Sequence, residues 1–487
     1  MDQIYVNLWA VEYQQQYYLI YFCLNLALPP VFKFNRGAGF KSEVMKVLKF
    51  GGTSVGSAER MKRVAELTDI PGKRIVVLSA MSGTTDQLVK INEALSKKNN
   101  KEAATLIGEL EPRYLNTIDA LFRNEEYTGK AREIIRGHFD FLRSFTQDVF
   151  TSEEEKTVLA EGELMTTEIF QLYLEEMKIP SALLPALNFM RINEEGEPDM
   201  PYIEKHLKKE LSKHLHTNLL ITQGYICRNP FGQVDNLKRG GSDYTASLIG
   251  AAAGAEEIQI WTDIDGMHNN DPRHVPDTYP IAELSFDEAE ELAYFGAKIL
   301  HPACILPAQK MNIPVRLLNT MQPEAKGTFI VNSHQLTANS HEIKAVAAKD
   351  NITVIKIKSE RMLMAYGFLR NVFEVFERYK TPIDMIATSE VAVSLTIDNN
   401  TYLDPIVKEL KNYATVDVET NQVIICIVGD FLAEKHGYAT KIFNSLAQIP
   451  IRMISYGGSK NNISLLIGAG HKKEALMALN KGVFSNR

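Results

Sequence analysis

Lys46-Val47-Leu48-Lys49-Phe50-Gly51-Gly52-Thr53-Ser54-Val55 is the stretch whose reading decides the fold. A short apolar strand ends in a lysine and runs straight into two glycines and two hydroxyls. That combination suits a phosphate, which needs a point charge, backbone N–H groups free of side chains and small donors. Taken alone, the stretch is equally a glycine strand-to-helix turn with a surface lysine. It has neither the Gly-x-x-x-x-Gly-Lys-Ser/Thr spacing of a P-loop nor the Gly-x-Gly-x-x-Gly of a Rossmann turn, so a nucleotide site here belongs to a different kinase class.

Outward from this strand, strand and helix signals alternate as in an α/β domain. The continuous apolar runs at 75–78, 219–222 and 258–261 suit strands buried on both faces. Between about residues 94 and 157 the pattern is helical and charged. Residues 288–310 carry apolar positions at helical spacing, closed by Asn312 and Pro314. This core extends to about residue 330. Shorter units follow: alternating runs at 353–358 and 391–397 with an amphipathic helix at 367–379, then runs at 423–428, 451–456 and 463–467 with helices at 438–447 and from Lys472. Two βαββαβ-like units are implied, a texture shared by regulatory modules and by ferredoxin-like units without regulatory roles.

A chain of 487 residues, 45% hydrophobic and 23% charged, can bury large cores and divides into two to four domains. A net charge of −7 provides no basic footprint for nucleic acid. Cys23, Cys227, Cys304 and Cys426 lie far apart, without metal or redox spacing, and read as free thiols in a reducing cytoplasm. The apolar stretch at 17–28 is shorter than the roughly 18 residues of a membrane span, and no Lys or Arg precedes it as a signal peptide requires. Met45 stands directly before the first strand, so residues 1–44 are expected to be an extension, unstructured or not native.

Further segments carry chemistry. Ser79-Ala80-Met81-Ser82-Gly83-Thr84-Thr85-Asp86 follows a strand, so its hydroxyls sit where α/β sheets bind ligands, or it simply caps a helix. Glu161-Gly162-Glu163 reads as a carboxylate at a helix start, a cap unless a partner makes it special. In Lys238-Arg239-Gly240-Gly241-Ser242-Asp243, two glycines let the backbone approach a ligand while Arg239 can clamp a carboxylate; a capped helix with a surface arginine is the alternative. Thr262-Asp263-Ile264-Asp265-Gly266, with Asp271-Pro272-Arg273 after it, is either a strand-end acidic site or an Asp/Gly turn. Gly296-Ala297-Lys298-Ile299-Leu300-His301-Pro302 offers a second lysine, or a solvated one.

Together and in this order these segments closely resemble the aspartate kinases of the amino acid kinase family. The resemblance covers about residues 46–487. In the tail, Met362-Leu363, Gly367-Phe368-Leu369, Pro382 to Ile386, Thr388-Ser389-Glu390-Val391 and Arg452 to Gly458 resemble the paired ACT domains of the lysine-regulated enzymes. The resemblance implies a three-layer kinase sandwich with a central, mostly parallel sheet over 45–330, then ACT domains over 340–420 and 421–487.

The implied reaction is transfer of the ATP γ-phosphoryl group to the β-carboxylate of L-aspartate, giving 4-phospho-L-aspartate. Such transfer depends on positioning and charge neutralisation rather than on a strong base. Lys49, Asp243 and Lys298 are the implied catalytic residues. Arg239 would take the substrate α-carboxylate and Glu163 its ammonium, with Ser79, Thr85 and Ser242 around it. Gly51 and Gly52 would face the phosphates, and Thr262, Asp263, His268, Arg273 and Lys298 the rest of the nucleotide. His268 stands where the family often has tyrosine. Mg2+ would be carried by the phosphates, with no protein metal cage. Met362, Gly367, Phe368, Leu369, Asp384, Ser389 and Glu390 match positions that bind an inhibitory L-lysine, and Ala365, where close relatives have serine, predicts weaker inhibition. A cytoplasmic homo-oligomer, a dimer through the ACT domains, with no nucleic-acid or membrane partner, completes the expectation. A different amino acid kinase, or a non-catalytic amino-acid sensor on the same fold, remains the alternative.

Overall fold

Along β1 (Met45–Phe50), Val47 packs on one face of the central sheet while Leu48 and Phe50 pack on the other, and all three are fully buried. β2 (Lys73–Leu78) divides in the same way, with Ile75 and Val77 on one side and Val76 and Leu78 on the other. Strands buried on both faces need helices on both faces, which makes the layered arrangement a consequence of these apolar runs. The computed structural model describes residues 45–147, 150–237, 240–296, 301–337, 343–358, 367–389, 391–430 and 436–484.

The remaining strands of the first part are β3 (Ser181–Leu183), β4 (Leu219–Gln223), β5 (Ile226–Arg228), β6 (Val234–Asn236), β7 (Glu257–Thr262), β8 (Glu283–Ser285), β9 (Val315–Asn319) and β10 (Thr328–Val331). Together with β1 and β2, six of these form one eight-stranded sheet in the order β3-β4-β2-β1-β7-β9-β10-β8, parallel throughout except where β10 meets β9, while β5 and β6 pair with each other. One face is covered by the helices Ala58–Thr68, Thr84–Ser96, Asn100–Leu121, Glu125–Ser144 and Ser152–Glu176, whose Met61, Leu88, Ile107, Ile135 and Ile169 share a core with Leu48 and Phe50. The other face packs on Met200–Ser212, Gly241–Ala253, Phe286–Tyr294 and Pro302–Met311. The single helical stretch expected at 288–310 is two helices. Asn312, at φ 59°, closes the second.

β11 (Ile343–Lys358), β12 (Ile386–Thr388), β13 (Ala392–Ile397), β14 (Thr415–Gly429), β15 (Ile451–Tyr456) and β16 (Asn462–Gly468) build one antiparallel sheet in the order β12-β13-β11-β14-β16-β15. The sequence pattern suggests two successive units, but β11 and β14 each run through both halves. Residues 353–358 pair with β13 and with 415–419, under the helices Phe368–Arg378 and Leu403–Leu410. Ala345 to Lys349 pair instead with Ile424 to Val428, under Tyr438–Ser445 and Lys472–Phe484. The second half thus takes one strand from chain that precedes the first half. β11 changes register between Lys349 and Ile352, where it passes from one half to the other.

Candidate active site

Because β1, β2, β4 and β7 are parallel neighbours, the chain leaves all four at the same edge of the sheet. The exits are Gly51-Gly52, Ser79-Ala80, Gly224-Tyr225 and Asp263-Ile264. They are tied together: Ser79 N–H donates to the Phe50 carbonyl at 3.2 Å, Ser82 N–H to the Gly52 carbonyl at 3.1 Å and Gly224 N–H to the Leu78 carbonyl at 2.9 Å. A Cβ on Gly52 would lie 2.8 Å from the Ala80 carbonyl oxygen, so the two loops approach this closely only because Gly52 has no side chain.

Lys49 is the penultimate residue of β1 and is 8% exposed. Its Nζ lies 2.6 Å from Asp243 Oδ1. Asp243 sits in the first turn of the helix Gly241–Ala253, where a carboxylate opposes the positive end of the helix dipole. Gly240, at φ 65°, starts that helix, and a Cβ there would be 1.9 Å from Cys304 Sγ. Glycine is therefore needed both for the backbone angle and for the packing. Ser242, buried beside Asp243, accepts a hydrogen bond from the Ser79 hydroxyl at 2.9 Å and so joins the β2 loop to the helix.

Glu163 closes the arrangement on another side. It lies in the middle of the 25-residue helix Ser152–Glu176, so the reading of a carboxylate at a helix start does not hold. It is 3% exposed, and its Oε2 has no hydrogen-bond partner. Burial pushes its carboxyl up to about 8, with the Ala80 backbone N–H pulling the other way. A buried carboxyl with an open acceptor is suited to a ligand ammonium, whose charge would supply what the protein withholds. Tyr225, at φ 66°, has its phenol pushed up to about 12 by burial and next by Glu163, which places it in the same surroundings.

The other predicted residues are placed less centrally. Thr85 is exposed in the first turn of Thr84–Ser96, while its neighbour Thr84 is buried against the Tyr114 hydroxyl at 3.0 Å. Thr262 Oγ1 accepts from Ile264 N–H at 3.2 Å and shapes the turn that presents the exposed Asp263. Both ring nitrogens of His268 are engaged, Nε2 with Asp265 Oδ1 and Nδ1 with Thr278 Oγ1, each at 2.8 Å. The Arg273 guanidinium is held by Asp271 at 2.7 Å with its side chain 78% exposed. In the tail, Gly367 starts the helix Phe368–Arg378, Phe368 is buried in the core, Leu369 is partly exposed and Ser389 N–H bonds the Ala392 carbonyl. Asp384 points elsewhere, toward Tyr294 and Lys349. Arg239, Lys298, Met362, Ala365, Glu390, Cys23 and the whole of 1–44 lie outside the described residues.

Two contributors had no sequence signal: Tyr225, and Cys304, whose thiol is pushed up to about 12 by burial and next by Asp243. Among the described residues, no three acidic, histidine or cysteine side chains converge as metal ligands, and no helix is long and apolar enough to cross a membrane.

Comparison with known proteins agrees with this geometry. Residues 45–319 match the Amino acid kinase family, and residues 425–482 match the ACT domain. The chain is 33% identical over 455 residues to lysine-sensitive aspartokinase 3 of Escherichia coli (strain K12), which covers 91% of this chain and 100% of that protein. It is 34% identical to chloroplastic aspartokinase 3 of Arabidopsis thaliana, over 90% of this chain and 81% of the other. The crystal structure of E. coli aspartokinase III in complex with aspartate and ADP (R-state) matches with a TM-score of 0.78 at 32% identity, covering 90% of this chain and 100% of that one. Its complex with lysine and aspartate (T-state) matches with a TM-score of 0.74. An edge that gathers a buried lysine–aspartate pair, the close-packed Gly52 loop and a buried carboxyl with one oxygen unbonded, carried on a chain with these relatives, has one reading: the protein belongs to the amino acid kinase family, as one of its aspartokinases.

Proposed function

We propose that the sheet edge around Lys49 and Glu163 phosphorylates the β-carboxylate of L-aspartate at the expense of ATP. The observation that carries this reading is the division of charge across the edge: a cation held in place by Asp243 on one side, and on the other a buried carboxyl with an unused acceptor. Lys49 faces the transferring phosphate, with Gly52 supplying an amide, whereas the Gly51 N–H is already given to the Trp261 carbonyl at 3.3 Å. Glu163 ionises on taking the substrate ammonium, which repays its desolvation. Arg239 holds the α-carboxylate, while Ser79, Thr85 and Ser242 surround the substrate. Lys298 brings a second positive charge to the γ-phosphate. Thr262, Asp263 and Arg273 serve the nucleoside side, and His268, both of whose nitrogens are held by Asp265 and Thr278, offers its ring face for stacking on adenine.

The β-carboxylate is ionised at neutral pH, so no base is required. One of its oxygens bonds to the γ-phosphorus as the bond to the ADP oxygen breaks, and ADP leaves. Magnesium would be held by the nucleotide phosphates, the described residues offering no cage of their own, and would supply neutralisation of the phosphate charge. A relative solved with aspartate and ADP supports this pair of substrates.

The division into 45–330, 340–420 and 421–487 is proposed with the qualification that β11 serves both later units. Lysine, bound by the first ACT unit near Gly367, Asp384 and Ser389 of a dimer, is the proposed inhibitor, and the cytoplasm the proposed location. The test is ATP consumption with a panel of acceptors, aspartate, glutamate and N-acetylglutamate, with hydroxylamine trapping of the acyl phosphate. Aspartyl hydroxamate formed from aspartate alone supports the reading. Turnover with another acceptor in place of aspartate, or none with any, overturns it.

A further inference from the structure

Residues 269–279 form a loop that carries Arg273 and returns to where it began: Asn269 N–H donates to the Tyr279 carbonyl at 3.0 Å, and Tyr279 N–H donates to Asn269 Oδ1 at 2.8 Å. The loop contains no helix or strand, so its polar groups need partners from elsewhere. Those partners belong to the second half of the regulatory sheet. Val275 is buried in one core with Ile425, Ile427, Leu476 and Leu479, and the Tyr279 ring meets Phe484 edge-on at 6.2 Å. The Asn269 carbonyl accepts from Val346 N–H of β11 at 2.8 Å.

One side chain closes the loop. Asn480 lies on the helix Lys472–Phe484, 211 residues from Asn269 in sequence. Its Oδ1 accepts from Asn269 Nδ2 at 3.2 Å and from Asn270 Nδ2 at 3.4 Å, while its Nδ2 donates to the Asp277 carbonyl at 3.3 Å. A single amide thus spans the outgoing and returning limbs. Asn269 and Asn270 are 0% and 2% exposed, so water does not readily replace the Asn480 oxygen. Asn270 Nδ2 also donates to the Leu476 carbonyl of the same helix at 3.0 Å.

From this amide the order passes to the nucleotide-side residues. Asn270 Oδ1 accepts from Asp271 N–H at 2.9 Å, and Asp271 accepts from Arg273 N–H at 2.9 Å and from its guanidinium at 2.7 Å. On the returning limb, beside Asp277, Thr278 Oγ1 holds His268 Nδ1 at 2.8 Å.

We infer that Asn480 is a positioning residue for nucleotide binding: the C-terminal helix of the regulatory sheet closes the loop that presents His268 and Arg273, and so completes the ATP site whether or not an effector is bound. The inference rests on the assignment of those two residues to the nucleotide. Without Asn480 the loop is ordered only when the nucleotide arrives, and that ordering weakens ATP binding while leaving the aspartate side untouched.

The test is the KM for ATP and for aspartate, with calorimetric titration of MgADP into the full chain, for the parent, Asn480→Leu, Asn480→Asp, Arg273→Ala and His268→Ala. Asn480→Leu should raise the ATP KM and the MgADP Kd about fivefold or more, as the loss of one or two hydrogen bonds implies, with the aspartate KM and saturated turnover within about twofold of the parent. Asn480→Asp keeps the acceptor oxygen for Asn269 and Asn270, and its ATP KM should lie closer to the parent than to Asn480→Leu. A folded Asn480→Leu with a lowered melting temperature and an unchanged ATP KM overturns the inference. So does a parallel rise in both KM values, or an Asn480→Asp as impaired as Asn480→Leu. If Asn480→Leu does not fold, Asn480→Ala is read in its place by the same division between the two KM values. Should Arg273→Ala and His268→Ala both leave ATP KM and MgADP binding unchanged, the nucleotide assignment of the loop falls and the inference with it. Should either weaken nucleotide binding while Asn480→Leu does not, the assignment stands and the inference alone falls.

Discussion

The helix Ser152–Glu176 buries carboxylates on two sides and treats them in opposite ways. Toward the sheet edge, Glu163 keeps an oxygen without a partner. Toward the helix Glu125–Ser144, Glu161 and Glu168 are both bonded by one imidazole, His138 Nδ1 to Glu161 at 2.5 Å and Nε2 to Glu168 at 3.1 Å. A ring that faces a carboxylate at each nitrogen donates from both and so is protonated. Burial pushes His138 down, but the two carboxylates outweigh it and hold the group at about 9. One side is a finished ion-pair network that holds two helices together. The other is unfinished and is completed by a ligand. Burial of a carboxylate therefore does not by itself mark a site, and neither does one unbonded oxygen, which Glu257 and Glu288 also have beside Lys46 and Lys344; burial without a cation to pair with does.

The largest effect expected from breaking this contrast is at Lys49, the cation of the ligand-facing side. Lys49→Ala should lower turnover by about 10²- to 10³-fold, the usual cost of removing a preorganised charge from a transition state, with a native circular dichroism spectrum. Near-normal turnover in a folded variant would remove Lys49 from the phosphate site.

Next is Glu163→Gln, which should raise the aspartate KM about tenfold or more while leaving the ATP KM unchanged. Its stability should move in the opposite direction. Between the ordinary carboxyl value of 4.5 and about 8, the folded protein holds a proton that the unfolded chain has lost, so Glu163 lowers stability as pH rises through that window. A glutamine side chain does not titrate, and the variant should gain on the parent progressively up to pH 8 in urea unfolding. An unchanged difference across that range would show that Glu163 is partnered.

His138→Gln tests the finished side. It should cost on the order of 3 kcal/mol near neutral pH, as breaking a buried pair does, with aspartate and ATP KM values unaltered. The sign is reversed from Glu163: the His138 contribution is fully present below pH 6.5 and disappears as pH rises through about 9. A shift in aspartate KM would mean that the two sides of the helix are not independent.

The smallest effect is expected at Arg273, whose ion pair with Asp271 is exposed. Arg273→Ala should change stability by less than about 0.5 kcal/mol. A raised ATP KM in that variant would place the guanidinium on the nucleotide, and an unchanged one would leave it to Asp271.

Much of this was legible in the residues. The apolar runs at β1, β2, β4 and β7 specify strands that must be covered on both faces, and parallel strands of that kind bring Gly51-Gly52, Ser79 and Asp263 to one edge whatever the details. The glycines at 52 and 240 stand where the backbone can tolerate nothing larger, so their presence already announced close approach. What sequence alone left open depended on long-range packing. A Glu-Gly-Glu triplet reads as a helix cap, and only the neighbouring helix and loop reveal that Glu161 is paired by His138 whereas Glu163 is left open. Likewise, the apolar patterns mark 353–358 and 423–428 as strands, but not that these strands extend over 343–358 and 415–429 and each span two halves of one sheet, because pairing partners about 70 residues apart leave no local signature. Asp384 shows the same limit. Its motif marks a carboxylate available to an ammonium, and only the fold determined that the ammonium it holds is that of Lys349, under the hydroxyl of Tyr294.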